Sequence, residues 1–384
     1  MRIIYFTTCL EENDFVAFSK KWTIALNSSN QNFHNKMIRA LAINNTVDVI
    51  SIRPFSRAKC HLTKLESETK SNGNITWHYL KVSYFRLLRF TFFRKEIEAF
   101  LKRIDKKNVI LISDTINPTV IHFANEAKKI TSLPLVGICT DSPSNISGTK
   151  KSYAKYILEN ANNLNGYIAL TEELNNHFNK NNKPSVIIEG LIENNLPEKK
   201  ENRYKDYFFF GGALMEKYGV YNLIRAFKEL NRPDLKLIIC GHHGDNNRIY
   251  KTISNNKNII YLKCLPVADV IQLEIGAIAN INPRPYSEDL DRFSIPSKTI
   301  EYLSSNSPTI SVKNSKLKKK FYDDIIWAKS ANPEDLKTAM ETVLTFDENE
   351  RKTMAIKARN KAIDYYSLNS VNKLLNEFLL NIIK

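Results

Sequence analysis

Short runs of consecutive apolar residues alternate along the chain with segments whose apolar positions recur every three or four residues. Residues 2–6, 47–52, 109–113, 133–139, 166–170 and 185–188 have the length and the β-branched and aromatic content of buried strands. Helical spacing appears at 33–43 (Phe33, Met37, Ala40, Leu41), 118–129, 150–162 and 171–179, and a polar loop is expected from Thr7 to Asn32. Strands alternating with helices predict a doubly wound α/β layer around a parallel sheet.

Residues 192–205 turn polar and charged, and a second α/β series then begins at Tyr207-Phe-Phe-Phe-Gly-Gly. Its expected order is a helix at Val220–Leu230, a strand at Leu235–Cys240, a helix near 246–254, a strand at Ile259–Leu262, a helix at 267–274 and a strand at Ala277–Ile281. The chain closes with strands at Pro308–Val312 and Ile325–Ala328 and three helices. The last of these carries Val371, Leu374, Leu375, Phe378, Leu379 and Ile382 on one stripe and must dock onto something. The expected organisation is therefore an α/β protein of two Rossmann-like doubly wound domains. These are an N-terminal domain over 1–195 and a second domain over 206–365, with a linker at 196–205 and a C-terminal helix at 366–384 returning toward the N-terminal domain.

Composition narrows the class. The 384 residues are 43% apolar, and no apolar run is long enough to span a membrane. Residues 1–6 open a strand rather than a secretory leader. Five scattered cysteines without a CxxC pair suit buried free thiols in a reducing compartment, so a cytoplasmic location is expected. The net charge of +16 asks for an anionic partner. No zinc-ligand spacing or nucleic-acid-reading motif is present, which ranks nucleic acid last. Residues 83–107 offer a different anion. Phe90, Phe93, Ile97, Leu101 and Ile104 form a stripe beside Arg86, Arg89, Arg94, Lys95, Lys102, Arg103, Lys106 and Lys107. That pattern fits a surface helix with a solvated basic face. It also fits a peripheral helix lying on an anionic membrane.

Candidate chemistry concentrates in residues 283–303. A strand runs into a loop carrying Arg284, Glu288, Asp289, Asp291 and Arg292, which enters a helix at Pro296-Ser297-Lys298. Proline suits a first helical position, and helix-start N–H groups beside a lysine form a phosphate site. Glu301 shares a face with Ser297 and Lys298 and could accept from sugar hydroxyls. Lys217, at the turn after Gly211-Gly212, faces a second helix start. The GxGxxG fingerprint of nicotinamide enzymes is absent. Asp114 and Asp141 fall just past strand ends; Asp114 reads as a cap or turn residue, and Asp141 as the better site candidate by position. His242 and His243 read as loop residues rather than metal ligands, and Asp289-x-Asp291 precedes no further ligand, so no metal is expected.

Gly211-Gly-Ala-Leu214…Lys217-Tyr-Gly219, then Leu237-Ile-Ile-Cys-Gly241, then Pro296-Ser-Lys-Thr-Ile-Glu301-Tyr-Leu-Ser-Ser-Asn-Ser-Pro308 resemble the C-terminal half of retaining glycosyltransferases of the two-Rossmann GT-B architecture, family four. The likeness is specific over 205–315. Over 1–190 it rests on strand order and on Gln31-Asn-Phe-His-Asn-Lys36, which is similar to bacterial polysaccharide and capsule glycosyltransferases. The resemblance implies two such domains facing a cleft, with a nucleoside-diphosphate sugar as co-substrate and no cofactor. Lys217, Gly212, Ser297 and Lys298 would meet the donor diphosphate, Glu301 the ribose, and the Lys263-Cys-Leu265 turn the base. A glycan acceptor, lipid-linked, would lie on the N-terminal domain near Asp141. Two positions depart from the pattern: Phe293 stands for the first glutamate of Glu-x7-Glu, and Ala213 for an arginine. Arg284 is the expected replacement cation, and Glu288, Asp289 or Asp291 the replacement carboxylate. The same departures suit a second reading, a non-catalytic subunit that binds a glycan or a partner glycosyltransferase.

Overall fold

The computed structural model describes residues 1–22, 28–54, 63–144, 150–241 and 246–384. They form two compact units, Met1–Leu191 with Leu368–Lys384, and Ile192–Ser367.

The first unit is built on an eight-stranded sheet. Its elements are β1 (Arg2–Thr7), α1 (Glu12–Trp22), α2 (Ser28–Ala42), β2 (Thr46–Ser51), β3 (Lys64–Leu65), β4 (Glu68–Asn72), β5 (Ile75–Tyr79), β6 (Val82–Ser83), α3 (Arg86–Leu101), β7 (Val109–Asp114), α4 (Pro118–Thr131), β8 (Leu135–Cys139), α5 (Lys151–Ala161), β9 (Gly166–Ala169), α6 (Glu172–Phe178) and β10 (Ser185–Ile187). The sheet runs β10-β9-β8-β7-β1-β2-β5-β4, parallel except for β4, which lies antiparallel on β5. The central strands are buried on both faces, as helices on either side require.

Three expectations change here. The loop expected over Thr7–Asn32 contains α1 and the first turn of α2. In α1 the acidic Glu12 and Asp14 sit in the first turn and Lys20 and Lys21 in the last, matching the helix dipole, while Phe15 and Phe18 pack on the core. The β4–β5 pair was not expected, because every β4 residue is exposed and carries no apolar alternation. The stripe in 83–107 faces protein. Phe93, Ile97, Leu101 and Ile104 are buried, and Phe90 and Phe93 pack on Phe123 at 5.4 and 5.5 Å between ring centres. A helix cannot show those side chains to lipid while α4 covers them.

The C-terminal helix Leu368–Ile383 belongs to this unit, with Val371, Leu375, Phe378 and Leu379 in its core. Polar groups fix its register: the Asn372 side-chain amide donates to the Ala40 carbonyl (2.7 Å), and that of Asn45 donates to the Asn376 side-chain carbonyl (2.8 Å).

The second unit holds β11 (Tyr207–Gly211), α7 (Val220–Leu230), β12 (Lys236–Cys240), α8 (Asn246–Ile253), β13 (Ile259–Tyr261), α9 (Val267–Gly276), β14 (Ala279–Asn282), α10 (Glu288–Phe293), α11 (Ser297–Leu303), β15 (Thr309–Val312), α12 (Ser315–Lys320), β16 (Ile326–Ala328), α13 (Pro333–Thr345) and α14 (Glu348–Tyr366). Its six strands run β13-β12-β11-β14-β15-β16, all parallel. Phe208, Phe210, Leu223, Leu237, Ile281, Ile310, Leu336 and Met340 lie in one core beneath α7 and α13. Residues 193–206 carry neither helix nor strand, yet they are tied down: the Lys200 amide donates to the Gln272 side chain (2.9 Å), and Gln272 donates back to the Glu198 carbonyl (2.9 Å).

Candidate active site

In the second sheet the strand order reverses direction between β11 and β14, and the carboxyl ends of that pair are where an open α/β sheet leaves room for a ligand. Three loops meet there, after β11, β12 and β14, and glycine lets them approach. Gly219 sits at φ +80°, where a Cβ would come 2.1 Å from the Pro283 carbonyl oxygen. Gly241 sits at φ +141°, and a Cβ there would come 1.8 Å from the carbonyl oxygen of Gly212. No L side chain fits either place. The Gly212 amide donates to the Cys240 carbonyl (3.0 Å), which fixes the β11 turn against β12.

A buried polar network carries this order into α11. The Tyr302 hydroxyl accepts from the Gly211 amide at 2.9 Å. The Asn282 amide donates to Thr299 Oγ1 (2.8 Å), whose hydroxyl pairs with that of Ser311 (3.1 Å). Each of these side chains is buried and hydrogen-bonded, so β11, β14 and β15 and the helix share one rigid arrangement.

On that platform Lys298 and Glu301 come together, Nζ to Oε2 at 2.6 Å, with side-chain exposures of 35% and 24%. Burial alone would lower the Lys298 pKa, but the carboxylates of Glu301 and Glu274 outweigh it and hold the ammonium charged well above its ordinary range. Glu274 is a residue the sequence reading passed over. It is 5% exposed on α9 and occupies an apolar-spaced position after Val267, Val270 and Ile271. A carboxylate in a helix's apolar stripe was the available signal. Beside it, burial pushes the Cys240 thiol up to about 12.

Pro296 is the N-cap of α11 rather than its first helical residue, with ψ 91° and no side-chain cap. Ser297 is exposed at the helix start. Lys217 is exposed in a 3₁₀ turn, Glu216–Tyr218, its ammonium 5.2 Å from the Tyr218 ring centre.

The loop half of the stretch is placed differently. The Arg284 guanidinium donates to Ser294 Oγ at 3.3 Å, next to Phe293, and lines a shallow open pocket with Asn282, Lys313 and Asn314. Glu288 and Asp289 are exposed in the first turn of α10. Asp291 is buried and accepts from the backbone amide (2.8 Å) and hydroxyl of Ser315. Its oxygens are engaged at the start of α12, which corrects the expectation of a carboxylate available for a ligand. Cys264 is exposed; Cys9, Cys139 and Cys240 are buried thiols. His242, His243 and Cys60 lie outside the described residues.

The first sheet has its own reversal, between β1 and β7. Asp141 is half-buried past β8 and accepts from the Ser142 amide (2.8 Å). The reversal itself carries Asp114, whose Oδ1 accepts from the Ile116 amide (3.0 Å), the turn role expected of it. Asn117 is the helix cap. The other Asp114 oxygen lies 3.5 Å from His34 Nε2, while His34 Nδ1 meets the Tyr5 hydroxyl at 2.5 Å. All three side chains are buried. Burial lowers the His34 pKa against the pull of Asp114, and burial raises that of Asp114 against the pull of His34. The Gln31-to-Lys36 motif builds the loop above them: Gln31 accepts from the Leu10 amide (3.0 Å) and Asn35 donates to the Leu10 carbonyl (2.9 Å).

Among the described residues, no group of three or more His, Cys, Asp or Glu could hold a metal, and no helix is long and apolar enough to cross a membrane.

Residues 192–361, nearly all of the second unit, match the model of the family described as glycosyl transferases group 1. No curated protein matches the chain. Among solved structures, the fold is similar to sucrose-phosphate synthase of Thermosynechococcus elongatus, at 12% identity and TM-score 0.68 over 100% of this chain and 99% of that one. It is also similar to Anabaena HepE in complex with UDP-glucose, at 13% identity and TM-score 0.64 over 99% and 100%. A UDP-forming α,α-trehalose-phosphate synthase of Burkholderia xenovorans, in complex with glucose-6-phosphate, aligns at 10% identity and TM-score 0.67 over 100% of both chains. At such identities the likeness is one of fold, and the activity class comes from the family match. Residues 192–361 thus form a group 1 glycosyltransferase domain, and over its whole length the chain shares the two-domain GT-B fold of these glycosyltransferases.

Proposed function

We propose that the protein transfers a sugar from a uridine diphosphate donor to a lipid-linked glycan, in the synthesis of a cell-surface polysaccharide, with retention at the anomeric carbon and without a metal. The observation that carries the donor assignment is the Lys298–Glu301 pair, partly exposed at the carboxyl edge of β11 and β14, with the Lys298 ammonium held charged by Glu301 and Glu274. The complexes of Anabaena HepE with UDP and UDP-glucose favour uridine. Retention is supported by a trehalose-6-phosphate synthase of similar fold, described as transferring with retention.

In this reading the donor phosphates take up the Lys298 ammonium, supported by Lys217, Arg284, the Gly212 backbone and the Ser297 hydroxyl. Glu301, relieved of its ion pair, accepts from the ribose hydroxyls. The bond between the anomeric carbon and the diphosphate oxygen breaks, and its electron pair leaves with the nucleoside diphosphate. A preorganised cation stabilises that developing charge most where water is scarce. The acceptor hydroxyl oxygen bonds to the anomeric carbon and its proton passes to the departing diphosphate; Asp141 is the first unit's candidate carboxylate for the acceptor. All positive charge here comes from the chain itself, which is what makes the reading metal-independent.

The test is incubation with a panel of nucleotide sugars, monitored by nucleoside diphosphate release with and without a polyprenyl-phosphate-linked sugar. Release dependent on a UDP-sugar and lost in Lys298→Ala is the expected result. Release undiminished in that variant would overturn the donor site. Nucleotide binding without release from any donor would favour the binding-subunit reading suggested by Phe293 and Ala213.

A further inference from the structure

We propose that the start of α3 is a docking surface for an anionic lipid bilayer. With the expected stripe of this helix turned inward, four other apolar side chains stand out of the surface within five residues. Tyr84 and Leu88 are exposed, Phe85 is 59% exposed and Leu87 is 85% exposed. An ordered apolar cluster of this kind, open to water, marks a contact surface rather than scattered surface leucines.

The cluster is held in place. The Tyr84 amide donates to the Thr63 carbonyl (2.9 Å), the Phe85 amide to Ser83 Oγ (3.2 Å), and the Arg89 side chain to the Ser83 carbonyl (2.8 Å). The β3–β6 ribbon thus presents the helix start as a fixed projection. Behind the apolar tip, Leu88, Thr91 and Lys95 continue one exposed face at three- and four-residue spacing, followed by exposed Lys102 and Arg103. Residues 84–107 contain eight Lys and Arg against three Asp and Glu, a net charge of +5.

Apolar tip followed by a basic band is the order that suits a bilayer: side chains reach the acyl boundary while cations lie at the headgroup level. The charge selects an anionic surface over a neutral one. A second copy of the chain would bring the same basic band against itself, which disfavours it as the occupant. The inference rests on no part of the donor assignment.

Flotation of the full chain with vesicles of phosphatidylcholine alone, or with equal parts phosphatidylglycerol, tests it. The expected result is binding to the anionic vesicles, weakened by salt and reduced about tenfold in the double variant Leu87→Ser, Leu88→Ser. The triple variant Lys95→Gln, Lys102→Gln, Arg103→Gln should lose the preference for anionic vesicles and flatten the salt dependence. In a Leu87→Trp variant the fluorescence should shift to the blue on adding anionic vesicles. Because the substituted side chains are exposed, thermal midpoints should stay within about 2 °C of the parent. Equal binding to both vesicle types, or unchanged binding of the double variant, would overturn the proposal. So would self-association in sedimentation velocity that the double variant abolishes without any vesicle binding. UDP-induced thermal stabilisation in solution, measured on the same variants, should be unchanged and keeps this test separate from that of the donor site.

Discussion

Both units reverse their strand order at a carboxyl edge, yet the two edges are finished in opposite ways. In the second unit four polar side chains stand above the buried network and reach solvent. Lys217 and Ser297 are exposed, and Lys298 and Glu301 remain open by a quarter to a third of their surface. In the first unit Tyr5, His34 and Asp114 are buried: the Tyr5 hydroxyl meets His34 Nδ1, while His34 Nε2 and Asp114 Oδ2 face each other at 3.5 Å without a hydrogen bond. The same topology therefore gives one edge that can exchange its partners for a ligand and one whose polar groups are closed off from water. Openness, more than the presence of titratable groups, separates a binding edge from a structural one.

The sharpest way to break this comparison is Lys298→Ala. If the second edge carries the donor, removing the cation that meets the leaving diphosphate should lower kcat about 10²-fold. It should also abolish most of the UDP-dependent thermal stabilisation. The fold should survive, since a third of the side chain faces solvent and the Tyr302 and Asn282 networks do not involve it. Loss of folding instead would place Lys298 with the structural groups.

Gly219→Ala tests the scaffold beneath that edge. An alanine at φ +80° with its Cβ 2.1 Å from the Pro283 oxygen must push the β11 and β14 loops apart, at roughly 1–3 kcal/mol. A fall in thermal midpoint together with weaker UDP binding is expected, because the displaced loop is the one that carries Lys217. An unchanged midpoint would mean that the close approach of the two loops does not hold them.

What the sequence disclosed follows the same division. The second edge was legible as a candidate because its parts are close in the chain: Pro296, Ser297, Lys298 and Glu301 fall within six residues, on a helix whose periodicity can be read directly. The first edge joins Tyr5, His34 and Asp114 across more than a hundred residues, and nothing local in any of them announces the others. Asp291 shows the converse limit. Its loop and charge suggested availability, but its partner Ser315 lies 24 residues away, and only the folded chain reveals that its oxygens are occupied. Buried strands and the stripe of the C-terminal helix were readable from apolar pattern. The strand β4 was not, since an exposed edge strand needs no apolar face.

His34→Ala asks whether the first edge is purely structural. The substitution leaves the Tyr5 hydroxyl and one Asp114 oxygen without their partner in a dry interior, a loss of about 1–3 kcal/mol. The thermal midpoint should fall while the UDP-induced shift stays the same size. A variant that keeps its midpoint but loses transfer to an acceptor would show instead that these groups serve the reaction, and the contrast between the edges would narrow.

The smallest effect separates the parts of the donor edge itself. Ser297 is exposed at the start of α11 and offers one neutral hydroxyl, beside a lysine whose contribution is charge-assisted. A neutral hydrogen bond contributes about 1 kcal/mol net, against about 1.5–3 when one partner is charged. Ser297→Ala should therefore raise the UDP dissociation constant only about fivefold. The double variant with Lys298→Ala should then show whether the two act on one phosphate. Two groups that grip the same oxygen give a combined loss smaller than the sum, whereas groups on separate phosphates give additive losses. Additivity here would spread the diphosphate along the helix start, and strong non-additivity would gather it at the Lys298 ammonium.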